Sequence, residues 1–313
     1  MLRWLDNDSV STEGPNEDRA DWSRIAPFIL LHLGCLLVLL TGWSTTALLV
    51  AAFLYAARMF AITAFYHRYF SHRAFSVSRP VQFAFAVLGN MSAQRGPLWW
   101  AAHHRKHHKY SDTERDVHSP HQHSTLWAHM GWFTTPRAFG TDLDQVRDFA
   151  RFPELRFLDR FDALAPMALA LGLYGLGAIL EAAAPGLGTT GWQLVAWGFF
   201  VSTTVLFHMS CLVNSAGHRL GSRRYPTDDH SRNSLWLALL TFGEGWHNNH
   251  HHYPVSARQG FFWWEIDMTY YTLRVMQTLG LVRDLRPLPL EVRAGASLPN
   301  RSAARRAEGE VSA

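Results

Sequence analysis

Eighteen of the 313 residues are histidine, and most of them fall into four strings. Three are dense: His67-Arg-Tyr-Phe-Ser-His72, His103-His104-Arg-Lys-His107-His108 and His247-Asn-Asn-His250-His251-His252. The fourth, Asn214-Ser-Ala-Gly-His218, is looser. On a helix, positions i, i+3 and i+4 share one face. His104, His107 and His108 therefore project together, as do His247, His250 and His251. Because i+3 and i+4 splay to either side of i, each triplet can feed two neighbouring metals. His67 and His72 are five apart, about 140° around an α-helix, which suits ligands aimed at two centres. With His218 the set holds nine imidazoles. That exceeds the needs of one tetrahedral zinc and suits two metals of higher coordination number.

An almost all-histidine site carries little ligand charge against two divalent ions, so it favours oxygen activation over hydrolysis. Iron is the metal expected, with manganese left open. Asp112, Glu114, Asp116, Asp229 and Glu244 stand near the strings as acceptors for imidazole N–H groups. His118, His121, His123, His129, His230 and His252 read as ordinary polar loop residues. His32 and His208 sit inside apolar runs and read as packing or tunnel lining; His103 is left open. The chain has no His-Glu-x-x-His, P-loop or Gly-x-Gly-x-x-Gly pattern. Its two cysteines, Cys35 and Cys211, lie in apolar runs and form neither a disulfide framework nor a thiolate site.

These strings need elements to bring them together. Apolar residues make up 48% of the chain and charged residues 17%, which argues against a disordered or ordinary cytosolic protein. Apolar runs extend over about 25–42, 45–66, 164–184 and 192–213, each near the ~20 residues that cross a bilayer as a helix. Three cations precede the first run, fourteen lie between Arg58 and Arg160, and twelve follow from Arg219. The short linkers inside each pair of runs carry none. With four spans, the N-terminus, the middle segment and the C-terminal segment share one face, cytoplasmic by the positive-inside rule. All four histidine strings lie at or beyond the cytoplasmic ends of spans. The expected fold is an all-α membrane protein, with four transmembrane helices and a cytosolic helical cap holding a di-iron site. Residues 1–24 form a polar segment, 25–292 the membrane domain with its cap at 67–163 and 214–292, and 293–313 a tail with a disordered composition. The net charge of +4 gives no case for nucleic acid. Arginine outnumbers lysine 27 to 2, which suggests a GC-rich bacterial genome and hence the plasma membrane.

With these residues in view, the chain resembles the integral-membrane fatty acyl desaturases, specifically the stearoyl-CoA (Δ9) branch and its bacterial relatives. The boxes His67-x-x-x-x-His72, His104-x-x-His107-His108 and His247-x-x-His250-His251 match in order and spacing. So do HHKYSDT (His107 to Thr113), LVNSAGH (Leu212 to His218) and GEGWHNNHH (Gly243 to His251). The likeness runs from about Thr45 to Leu285. It implies that the nine histidines hold two irons, that Asn214 reaches one through water, and that a bent acyl tunnel runs between spans and cap. Gln94, Trp100 and Ser210 match positions at the tunnel bend, and Tyr55 and Met59 match positions near its closed end.

The implied reaction is oxygen-dependent removal of two hydrogens from a methylene pair, giving a cis alkene, at Δ9. Two electrons must come from outside, since the chain has no haem or flavin domain; a ferredoxin- or cytochrome-type donor with its reductase is implied, docking on the Arg-rich face. Many relatives have Asp where this chain has His103, near the entry of the carrier head group. Acyl-CoA, the first expectation, therefore stands beside acyl carrier protein and phospholipid. Arg95, Arg105 and the Arg223-Arg224 pair are candidates to meet CoA phosphates or lipid head groups. Two other functions compete. A hydroxylase or oxidative decarboxylase could use the same metal scaffold. A metal transporter would place ligands near the membrane midplane, but only His32 and His208 lie within spans.

Overall fold

The longest apolar runs are the longest helices of the computed structural model, which describes residues 5–7 and 19–295. Three helical stretches are long and apolar enough to cross a membrane: Thr45–Ser71, Leu164–Ala183 and Gly191–Ser215. The 25–42 run is helical over Ile25–Thr41, 17 residues at most, and falls short of the other three. It is built from α1 (Trp22–Gly34), a 3₁₀ turn (Cys35–Leu37) and α2 (Val38–Thr41). The tail expected from 293 onward lies almost wholly outside the described residues, which stop at Gly295.

α3 (Thr45–Phe60) starts where Ser44 Oγ accepts the Ala47 N–H at 3.1 Å, satisfying one of the helix's orphan donors. The same hydroxyl contacts Thr189 Oγ1 at 2.7 Å, tying together the two turns at this end of the molecule. α3 runs directly into a π-helix over Ala61–Ser71. Its first half turns Leu49 and Phe53 outward, whereas Met59 to Ser71 are buried without exception. One continuous element thus begins as an apolar outer surface and ends as core, carrying the first histidine box inward.

α7 (Leu164–Ala183) is preceded in the cap by α4 (Arg79–Asn90), α5 (Pro97–Tyr110) and α6 (Pro153–Arg160). Each of these three cap helices has proline in its first turn, where the missing N–H costs nothing. The last long helix joins α8 (Gly191–Leu194), a π-helical stretch (Val195–Val201) and α9 (Ser202–Ser215). α7 and α8 cross at Gly177 and Gly191, where a Cβ on Gly177 would lie 2.6 Å from the Gly191 Cα. Leu171 and Ile179 on α7, like Leu39 and Leu40 on α2, are mostly exposed, a surface suited to lipid and unsuited to water.

Arg58, the one charge late in the second apolar run, is fully buried. Among the described residues it has no carboxylate partner; its guanidinium donates to Leu54 O, Met91 O, Thr203 Oγ1 at 2.6 Å and Ser202 Oγ at 2.7 Å. It therefore binds α3 to α9 and to the start of the loop before α5.

The cap is completed by α10 (Leu235–Leu240), α11 (His247–His252) and α12 (Met268–Thr278). A two-stranded antiparallel ribbon, β1 (Ser76–Val77) with β2 (Val282–Arg283), departs from the all-helical expectation. Its backbone pairing clamps the end of the cap to the segment that follows the first histidine box.

Candidate metal centre

The π-helix decides how the first box points. His67 lies within its wider turns, and His72 is the capping residue just after it, with its N–H turned back to Tyr69 O. The His67 and His72 rings come within 5.0 Å of each other. The expectation that they aim at two centres is therefore corrected: both belong to one group.

That group is His67, His72, His104, His108 and His250, with one ring nitrogen from each lying within 4.8 Å of all the others. A second group joins His107, His218, His247 and His251 by the same measure. The second and third boxes each feed both groups, as their i, i+3, i+4 spacing allows. Adjacent residues of one box, His107 and His108 or His250 and His251, belong to different groups, so the two groups are neighbours.

Nitrogen faces nitrogen throughout. Nε2 of His250 lies 2.9 Å from Nε2 of His67 and 2.8 Å from Nε2 of His108. His72 and His104 meet at 2.9 Å, and so do His218 and His247. Two nitrogens bound at right angles to one metal, each about 2.1 Å away, would stand about 3.0 Å apart. His251 Nε2 is buried and has no partner among the described residues. The donor set and its spacing fit a pair of metal ions.

The charge state fits as well. Burial, reinforced by neighbouring imidazoles, pushes His72, His104, His108, His247 and His250 well below the usual histidine range. Their lone pairs are therefore free at neutral pH. Burial also lowers His251, to about 4, against the pull of Asp229. On His107 burial is outweighed by Asp116, and the value is raised.

Outside the nitrogens stands a ring of carboxylates. Asp112 Oδ2 accepts from His218 Nδ1 at 2.9 Å, Asp116 Oδ2 from His107 Nδ1 at 2.9 Å, and Asp229 Oδ2 from His251 Nδ1 at 2.6 Å. Glu244 Oε2 contacts His67 Nδ1. Each bond holds a proton on Nδ1 and leaves Nε2 to face inward. Burial raises all three aspartates, but the histidine contacts outweigh it and hold them well below the ordinary carboxylate range. Glu114, also named from sequence, is exposed and takes no such place.

α11 is only six residues long and would not persist alone. Asn233 Oδ1 accepts the N–H groups of Asn248 and Asn249, at 3.0 and 3.1 Å. Asn248 Oδ1 accepts the Arg224 and Tyr225 N–H groups, and Asn249 donates to Glu265 Oε2 at 2.9 Å. The asparagines inside the third box are thus its anchors. α5 is held differently: Asp159 Oδ1 accepts the Trp99 N–H at 2.7 Å, capping it from another element.

The residues expected at the acyl tunnel fall into two sets. Ser210 Oγ donates to Gln94 Oε1 at 2.9 Å, and Trp100 stacks on His104 with ring centroids 5.0 Å apart. Met59 is fully buried, while the Tyr55 hydroxyl donates to Leu240 O at 2.5 Å. Asn214 lies half-buried in the last turn of α9, one residue before the buried Ser215.

Other readings are revised. His118, taken for a loop residue, is buried against Asp116 and Trp132. His129, His208 and His32 form a line, with His129 Nε2 to His208 Nδ1 at 2.9 Å and His208 Nε2 to His32 Nε2 at 2.8 Å. His103 stacks on Trp99, and burial lowers it to about 4. Three of the four arginines assigned to head groups are engaged inside the protein. Arg105 pairs with Asp148, Arg95 with Asp162, and Arg224 with Glu265. Arg68 and Gln259 were missed. Arg68 bridges Glu244 and Asp267, and Gln259 Nε2 donates to Glu244 Oε2 at 3.1 Å. Neither carried a signal in the sequence, since burial and pairing with distant carboxylates show only in the fold.

The fatty acid desaturase profile matches residues 42–280, a range that contains every histidine of both groups. The chain belongs to the fatty acid desaturase family. Within the family it is 36% identical to an sn-2 palmitoyl-lipid 9-desaturase of Nostoc sp., over 90% of this chain and 95% of that protein. An sn-1 stearoyl-lipid 9-desaturase of Synechocystis sp. is 38% identical over 92% of this chain and 86% of that one. A plant relative, an icosanoyl-CoA 5-desaturase of Limnanthes douglasii, is 37% identical over 67% of this chain and 56% of its own length. This desaturase is thus an oxidoreductase acting on fatty acyl chains, with two histidine groups able to hold metal ions.

Proposed function

We propose that the protein introduces a cis double bond at C9 of a saturated acyl chain esterified to a membrane glycerolipid. The two lipid 9-desaturases, similar over nearly the whole chain, support an acyl-lipid in place of the acyl-CoA first expected.

The observation that carries this reading is the convergence of nine imidazoles into groups of five and four. His67, His72, His104, His108 and His250 would hold one iron; His107, His218, His247 and His251, with Asn214 through water, would hold the other. Bound there, two irons supply oxygen reduction coupled to removal of two hydrogens. The balance requires two electrons and two protons per oxygen molecule, with two waters as by-product. The electrons come from a ferredoxin- or cytochrome-type donor with its reductase.

The protein's own part is placement and dryness. Asp116, Asp112 and Asp229 fix the Nδ1 protons of His107, His218 and His251, so these three imidazoles present Nε2 without rearranging. Trp100, stacked on His104, and the Gln94–Ser210 pair would line the tunnel bend and hold one methylene pair of the acyl chain in place. Met59 and Tyr55 bound the far end. Four spans, with Ile25–Thr41 as the shortest, place both termini and the metal centre on the cytoplasmic side of a bacterial plasma membrane.

The test is lipid profiling of a host expressing the protein beside a His107→Ala control, with double bonds located by derivatisation and mass spectrometry. A new cis-9 chain in intact lipid, absent from the control, is the expected outcome. A hydroxylated or shortened product would reject the reading.

A further inference from the structure

A cavity of about 480 Å³ opens beside the segment that carries His67 and His72. Tyr69 and Arg73 of that segment line it, together with Arg79 and Gln82 from α4, and with Arg151 and Arg286. Asp148 and Asp284 are the only carboxylates in the lining, so cations outnumber anions there by two.

Two of the arginines are already engaged. Arg79 donates to both oxygens of Glu154 at 2.7 Å. Arg73 reaches Asp148 at 3.7 Å, where Arg105 holds the same carboxylate at 2.9 and 3.0 Å. Among the described residues, Arg151 and Arg286 have no carboxylate partner; Arg151 lies over the Phe152 ring, 4.9 Å from its centroid.

Gln82 adds a second, independent observation. It is 2% exposed, and the Tyr69 hydroxyl donates to its Oε1 at 2.9 Å. Its Nε2 is buried and has no partner. An unmatched buried donor costs about 1–3 kcal/mol, so this group is one that a ligand can satisfy. Arg151 and Arg286, against the one remaining carboxylate Asp284, leave the lining net positive, and with the idle amide donor this calls for an anion rich in acceptor oxygens. Guanidinium forks match phosphate in bidentate fashion. Phe75, Val77, Phe149 and Phe152 also line the cavity, so the ligand has an apolar part as well.

We propose that this cavity binds a phosphate group attached to an apolar body, at a site separate from the acyl tunnel. The phosphate belongs either to a lipid head group or to a soluble ester. Because Tyr69 and Arg73 flank His72 in the chain, an occupied cavity braces the segment that presents the first histidine box. This assignment does not depend on the regiochemistry or the carrier proposed above.

The experiment uses the full chain in dodecyl maltoside micelles, which contain no phosphate. Thermal stability is followed while inorganic phosphate, phosphatidate or oleate is added. In the wild type, phosphatidate should give a saturable rise in Tm of about 5 °C at hundredfold excess over Kd. Arg286→Glu and Gln82→Leu should each weaken that response at least tenfold. Arg286 is exposed, so its variant should keep the unliganded Tm and separate lost binding from lost folding. A response to phosphatidate well beyond that to inorganic phosphate supports the proposal, and an equal response to inorganic phosphate would overturn the apolar half of it. An equal response to oleate, an undiminished response in Arg286→Glu, or no saturable response in the wild type would each overturn the proposal.

Discussion

Asp112 and His218 are 106 residues apart in the chain, and Asp112 Oδ2 accepts the proton on His218 Nδ1 at 2.9 Å. The same carboxylate accepts the His230 N–H at 2.8 Å and, through Oδ1, the Ser119 hydroxyl at 2.6 Å. It thereby locks the loop after α5 to the turn after α9, and it sets which nitrogen His218 offers to its group.

Asp112→Ala should accordingly loosen the four-histidine group before the five-histidine one. Loss of such an outer partner lowers metal affinity by about 10- to 100-fold. Iron analysis after dialysis against a graded chelator should show one of two irons lost early. Simultaneous loss of both would contradict the separate grouping.

Arg68, Glu244 and Asp267 form a fully buried ion cluster directly beside His67. Glu244→Leu leaves Arg68 with Asp267 alone and deprives His67 Nδ1 of its carboxylate. Breaking a buried pair from one side costs about 3–5 kcal/mol. With Asp267 still present, about 3 kcal/mol is expected, read as a fall in Tm of the purified protein. Glu244→Gln, which retains an acceptor oxygen, should recover part of it.

Met59 is fully buried and packs in the same core as Phe60, Phe65 and Tyr55. If it bounds the tunnel, Met59→Ala should lengthen the space and shift the products toward longer acyl chains. The cavity should also cost about 2–5 kcal/mol of stability. An unchanged chain-length profile in a folded, iron-loaded variant would remove Met59 from the tunnel.

Asp159 gives a pH dependence. Burial raises its pKa from 3.8 to about 6, although the Thr141 hydroxyl and the Trp99 N–H pull the other way. The folded protein therefore holds this proton more tightly than the unfolded chain does. The resulting stabilisation is complete below about pH 4 and is lost as pH rises through about 6, on the order of 3 kcal/mol in all. Asp159→Asn, which keeps an acceptor for the Trp99 N–H, should flatten the stability profile between pH 4 and 7. A profile identical to the wild type would assign the slope to other groups.

Features that depend on local periodicity were legible in the order of residues alone. Apolar runs near bilayer length announce the helices Thr45–Ser71, Leu164–Ala183 and Gly191–Ser215, because uninterrupted apolar surface has few stable alternatives. The i, i+3, i+4 spacing within the second and third boxes likewise shows that each serves two groups. Tertiary structure decided the rest. The first box joined one group because the chain departs from α-helical winding there, with His67 in a π-helix and His72 in the turn that caps it. Asp112 was chosen over Glu114, and His118 was buried while His123 stayed outside, by contacts between segments far apart in the chain. Local pattern carries no record of such contacts, since burial and pairing arise only when distant elements close on one another.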